Sequence, residues 1–171
     1  MANAKKKRGK ILAGDAFEIP LGGNKVGYCR ALVREQFGVI FEIYNETGEA
    51  LKKEDDFSKI ALSRKSVAYI NEEVPKCDWR FLGNFPVHEK SIQYPPFFYG
   101  SSTSSWTVTE PHRADKYFSA KEYTYDDMLR LGYSHLVLWL NDSIIKHVRD
   151  NKPLRWESEE VLSNDTVGRG W

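Results

Sequence analysis

Gly14-Asp15-Ala16-Phe17-Glu18-Ile19-Pro20-Leu21, with the turn Gly22-Gly23-Asn24-Lys25 and the run Val26-Gly27-Tyr28-Cys29-Arg30-Ala31-Leu32-Val33 behind it, decides the fold. From Ala16 the residues alternate with the two-residue period of a strand: Phe17 and Ile19 on one face, Glu18 on the other, as far as Pro20. Leu21 to Lys25 predicts a turn, because glycine and asparagine accept the positive φ that a tight reversal needs. Val26, Tyr28, Arg30 and Leu32 then alternate with Gly27, Cys29, Ala31 and Val33, so a hairpin follows.

Working outward, Phe37, Val39, Phe41 and Ile43 alternate with Gly38, Ile40, Glu42 and Tyr44, and Asn45-Glu46-Thr47-Gly48 is expected to close this third strand. Three successive strands make a meander. The small residues Gly27, Cys29, Ala31 and Gly38 permit tight coiling, so a small SH3-like barrel or a strongly bent sheet is expected. Phe17, Val39, Phe41 and Trp79 are the expected core. Residues 49 to 59 are strongly charged and suit an exposed loop or one irregular helical turn, with Leu51 and Phe57 as their large apolar groups. Ser66 to Ile70, Asp78 to Leu82 and Trp106 to Thr109 predict further strands, giving five to seven in all.

Near the C-terminal end, Thr124 with Asp127 three residues on has the form of a capping box, opening a helix with Met128, Leu129 and Leu131 as its apolar stripe and Gly132 as its stop. Leu136 to Leu140 reads as a buried strand or a buried helical segment, which periodicity does not separate. Asn141 or Asp142 is expected to cap a second helix with Ile144, Ile145 and Val148 inward, stopped by Asn151 and Pro153. The fold class is therefore α+β: an antiparallel, partly coiled sheet with short C-terminal helices. The domain organisation expected is a flexible basic arm over 1–9, one domain over 10–156 and a loosely attached tail over 157–171.

The 171 residues hold 25 Lys plus Arg and 24 Asp plus Glu, and a net charge of +1 supplies no overall field to draw nucleic acid or an anionic membrane. The apolar stretch after Lys5-Lys6-Lys7-Arg8 is too short for a signal peptide, and no run approaches the roughly 18 apolar residues of a membrane span. A soluble cytoplasmic protein with reduced, buried thiols at Cys29 and Cys77 is expected, since neither spacing nor number suggests disulfides or zinc.

Catalytic signatures are missing from the sequence. There is no GxSxG elbow, no HExxH or similar pairing among His88, His112, His135 and His147, and no phosphate-cradling glycine loop. No enzyme activity and no cofactor is expected, and each histidine is read as a surface or packing residue. Two features remain as recognition candidates. Tyr94-Pro95-Pro96-Phe97-Phe98-Tyr99 reads as a proline-rich aromatic loop that either folds over the sheet as core or forms an exposed interface anchor. Glu54-Asp55-Asp56, Glu72-Glu73 and Glu157 with Glu159-Glu160 are acidic clusters that read either as solvated surface or as phosphate mimics toward a basic nuclease partner. The candidate partner-binding residues are Asp55, Asp56, Tyr94, Phe97, Phe98 and Tyr99. The rival reading is a nucleic-acid-binding small β-barrel using the Lys5 to Arg8 arm and stacking aromatics such as Tyr28 and Trp79.

The segment Gly14 to Leu21 followed by Gly27-Tyr28-Cys29-Arg30-Ala31-Leu32-Val33 resembles the opening of the immunity protein 26 family, and Trp79-Arg80-Phe81-Leu82-Gly83 and Pro95-Pro96-Phe97 are similar to its downstream elements. The resemblance covers roughly residues 10 to 110. It implies a cytoplasmic antidote of a bacterial polymorphic toxin system that binds a cognate toxin domain and blocks it, with no catalytic residues. The motif positions are chiefly glycines, apolar residues and turn formers, so their first role is the fold.

Overall fold

The protein is described by a computed structural model covering residues 9–35, 38–52, 57–58, 63–87, 95–102, 105–110, 113–121 and 123–154. Strands β1 (Asp15–Gly22), β2 (Lys25–Arg34) and β3 (Val39–Glu49) form the expected antiparallel meander. Gly22 and Gly23 turn the first hairpin with φ of 98° and 60°, a region open to glycine and costly for other residues. β4 (Arg64–Ile70) pairs with β3 and β5 (Arg80–Asn84) pairs with β1, giving the order β4-β3-β2-β1-β5.

A second sheet holds β6 (Phe97–Ser102), β7 (Ser105–Glu110), β8 (Arg113–Lys121) and β9 (Ser134–His135), in the order β8-β7-β6-β9. Three short helices complete the described elements: α1 (Glu73–Asp78), α2 (Tyr125–Arg130) and α3 (Asn141–Arg149). The α+β class holds, with nine strands among the described residues rather than five to seven. The barrel does not: β4 and β5 lie at opposite edges of the first sheet, and no described ladder joins them.

β3 is buried on both faces from Val39 to Tyr44. On one face Phe17, Val39, Phe41, Ile43, Ile70 and Trp79 pack with Ile144 and Val148 of α3. The rings of Phe17, Phe41 and Trp79 meet edge to face at 6.0 to 6.4 Å, the geometry aromatic quadrupoles favour. Phe17, Val39, Phe41 and Trp79 are all fully enclosed, as expected. Gly27 lets α3 approach, since a Cβ there would stand 2.6 Å from Val148 Cγ1. The other face carries Ala16, Val26, Tyr28 and Tyr44 with Phe57 and Leu82 at one end, and Leu32, Ile40, Val67 and Tyr69 with Phe97 of β6 at the other. Phe97 thus ties the second sheet to the first. Phe98, its neighbour in sequence, points into a separate cluster with Trp106, Val108, Tyr125 and Met128 beneath α2.

Several local expectations change. Asn45 to Gly48 do not end β3. Gly27 pairs with Thr47 while Cys29 pairs with Ile43, so extra residues of β3 are taken up in a bulge and the strand runs on to Glu49. Residues that end strands also make bulges, and only the ladder tells the two apart. Asp78 to Leu82 is not one strand: α1 ends at Asp78 and β5 starts at Arg80. Leu136 to Leu140 is neither strand nor helix; it is irregular, with only an isolated bridge from Trp139 to Ile70. Phe97 to Tyr99 lies in strand β6 rather than in a loop. α3 starts without a side-chain cap, because its N-cap position is Leu140; Asn141 is the first helical residue, and its carboxamide oxygen accepts from Trp79 Nε1 at 2.8 Å. Thr124 and Asp127 do form the expected capping box, each side chain bonding the other's backbone N–H. Of the thiols, Cys29 is buried and Cys77 is exposed, which corrects the expectation for Cys77.

Candidate functional site

Several polar groups brought into the first sheet are paired. On the β2–β3 ladder Arg30 lies opposite Glu42, and its guanidinium meets Glu42 Oε1 at 2.6 Å from Nη2. Tyr44 donates its hydroxyl to the same oxygen, and burial with this hydrogen bond holds the phenol well above its ordinary pKa. Glu18 accepts from Leu51 N–H at 2.7 Å and pairs with Arg80 at 3.0 Å, fastening the chain after β3 over the sheet. Asp15 accepts from Leu12 N–H at 2.8 Å and from Asn84 Nδ2 at 3.0 Å, which explains an acidic residue at the start of β1. These carboxylates serve the fold.

A cleft of about 420 Å³ opens where β4, the end of α2 and the segment after α3 meet. β4 supplies Lys65 and Ser66 as neighbours on the strand. The last turn of α3 supplies His147, which sits inward because the helix buries the face bearing Ile144 and Val148. His147 Nε2 lies 2.6 Å from Ser66 Oγ, and its Nδ1 faces the carbonyl oxygen of Lys152. A carbonyl only accepts, so Nδ1 carries the proton, donates to Lys152, and leaves Nε2 to accept from the Ser66 hydroxyl. Burial lowers the His147 pKa, with Lys65 acting in the same direction, and keeps the ring neutral near pH 7. Lys65 Nζ donates to Asn151 Oδ1 at 2.6 Å. Asn151 has φ of 54°, a left-handed conformation that asparagine tolerates, and it turns the chain along the cleft.

A hydroxyl donating to a neutral imidazole is one element of a hydrolytic relay. The partner that orients His147 is a neutral carbonyl, however, which stabilises an imidazolium far less than a carboxylate does. The Ser66–His147–Lys152 arrangement therefore reads as a clasp holding residues 151–154 to β4. At the other side of the cleft His135 stacks on Phe98 at 5.0 Å, and burial lowers its pKa to about 4.

Of the residues singled out for partner binding, Phe97 and Phe98 are enclosed, so at these two positions the aromatic segment is core. Tyr99 is 40% exposed. Asp55, Asp56 and Tyr94 lie outside the described residues, as do the Lys5 to Arg8 arm, His88, His112 and the acidic residues Glu157, Glu159 and Glu160. The Glu72–Glu73 cluster is paired, Glu72 with Arg34 at 3.1 Å and Glu73 with Lys76 at 3.0 Å. Sequence reasoning missed the cleft. Ser66 and His147 are 81 residues apart in the chain, and only their meeting in space gives them a common role.

Among the described residues no helix is long and apolar enough to cross a membrane, and no group of three or more His, Cys, Asp or Glu side chains is placed to hold a metal ion. Fold and cleft together define an α+β protein whose antiparallel meander is fastened by partly buried ion pairs, beside an open cleft. The family model described as Immunity protein 26 matches residues 13–107, more than half of the chain, and the protein belongs to that family. The match runs from the start of β1 into β7 and so includes the complete first sheet. Comparison with curated proteins and with solved structures gives no match.

Proposed function

We propose that this protein neutralises a cognate toxin domain of a bacterial polymorphic toxin system by stoichiometric binding in the cytoplasm, without chemistry of its own. Membership of the immunity protein 26 family is the observation that carries the reading. Such inhibition needs a preformed complementary surface, and a meander buried on both faces is a rigid support for one. Residues 10–156 act as one folding unit, a reading supported by the packing of Phe97 against Leu32 and Val67. Exposed Tyr99 anchors the partner, and the carboxylates of Asp55 and Asp56 steer a basic toxin, of which a nuclease is one kind.

The test is co-expression with candidate toxin domains encoded by neighbouring genes, scored by growth and by isolation of a complex of fixed stoichiometry. Protection with a complex is the expected result. Toxicity unrelieved by a folded, co-expressed chain would overturn the reading. Tyr99→Ala should speed dissociation, and charge reversal at Asp55 and Asp56 should slow association in a salt-dependent way, whereas deletion of residues 1–8 should leave affinity nearly unchanged. Binding of nucleic acid with a steep salt dependence, lost on that deletion, would favour the nucleic-acid reading instead.

A further inference from the structure

We propose that the cleft between β4, the end of α2 and the segment after α3 binds a small organic carboxylate with an apolar body, the carboxylate held by Lys65 and the body lying against Val67, Leu129 and Trp139. This goes beyond toxin neutralisation and does not depend on it.

Three observations carry the inference. The cleft, at about 420 Å³, falls within the range of small-molecule sites. Among the described residues its lining contains no aspartate or glutamate, although it includes two lysines and two histidines. Lys65 is half-buried, its hydrogen bond goes to the neutral Asn151 carboxamide, and among the described residues no carboxylate pairs with it. A partly desolvated ammonium with only a neutral partner gains from an arriving anion, because the cost of removing it from water has already been met in folding. Burial depresses the Lys65 pKa.

The remaining lining sets the ligand class. Val67, Leu129 and Trp139 offer apolar walls, and Ser134 adds neutral hydrogen-bonding capacity. One half-buried ammonium matches a monoanion better than a dianion. Lys152 is exposed and therefore contributes less. A carboxylate on a short aliphatic or aromatic body meets both requirements, and a bare oxyanion leaves the walls uncovered.

The experiment titrates the full chain near pH 7 with hexanoate and 4-phenylbutyrate, with hexan-1-ol and inorganic phosphate as controls, following the Trp139 indole N–H resonance and the heat of binding. The carboxylates should move that resonance and bind at least about tenfold tighter than either control. Lys65→Met, shown folded by circular dichroism, should weaken them by about tenfold or more, and Lys65→Arg should retain binding within about threefold. Equal binding of the alcohol, equal binding of phosphate, indifference to Lys65→Met, or no binding up to about 10 mM would each overturn the proposal. A variant with Glu157, Glu159 and Glu160 all changed to Gln tests whether the carboxylate comes from this chain itself. If hexanoate bound only to that variant, the chain's own carboxylates would be the occupants and the proposal would fall.

Discussion

Glu42 on β3 stands directly opposite Arg30 on β2, and one of its carboxylate oxygens receives both the Arg30 guanidinium and the Tyr44 hydroxyl. Both side chains of the ion pair are largely covered, at 24% and 11% exposed, so the pair works in a medium less screening than water. Removing one partner of such a pair costs more than removing both, because the charge left behind has lost its hydration and its counter-charge. Glu42→Leu is therefore expected to lower unfolding stability by about 2 kcal/mol or more in urea titration, and Arg30→Met in the same chain should recover part of it. A loss under about 0.5 kcal/mol for Glu42→Leu would show that the pair is solvated.

Phe41 is fully enclosed and meets Phe17 and Trp79 edge to face. Phe41→Ala should cost about 3 to 5 kcal/mol by chemical denaturation, through lost burial and an unfilled cavity. A cost below about 1 kcal/mol would mean that Phe41 does not face the core.

Gly27 and Val148 should be energetically coupled. Alanine normally favours a strand over glycine by about 0.5 to 1 kcal/mol, but here its Cβ would stand 2.6 Å from Val148 Cγ1. Gly27→Ala is expected to destabilise the native chain by about 1 to 3 kcal/mol and to be neutral or stabilising in a Val148→Ala background. Additive effects in the double-mutant cycle would place α3 elsewhere.

Acid should weaken the fold through His135. Its folded pKa of about 4 lies below the unfolded value of about 6.5. Its contribution is thus complete above about pH 6.5 and is lost as pH falls toward 4. His147 shifts in the same direction. Between pH 7 and 4, His135 should account for about 1 to 3 kcal/mol of lost stability, read as the difference between the native chain and His135→Phe, which keeps a ring on Phe98. Proton NMR should give this imidazole a midpoint below about 5. A midpoint near 6.5 would contradict its burial.

The alternations at Phe17 and Ile19, at Val39, Phe41 and Ile43, and at Val67 and Tyr69 by themselves determined the meander and β4, because a strand's two-residue period writes its faces directly into the chain. Thr124 and Asp127 marked the start of α2 for a similar reason: a cap is closed within four residues, so its signal is local. Tertiary structure decided the rest. Whether Asn45 to Gly48 end β3 or bulge within it depends on Gly27 and Cys29 of the neighbouring strand. Asn141 becomes the first residue of α3 rather than its cap, and its side chain accepts from Trp79. Phe97 and Phe98 have the same composition as an exposed anchor, and only the clusters on either side of β6 make them core. Ser66 and His147, and Lys65 and Asn151, meet across more than 80 residues of chain. A local pattern fixes which way a side chain faces along its own element, while its partner is chosen by packing between distant elements, which no sequence period encodes.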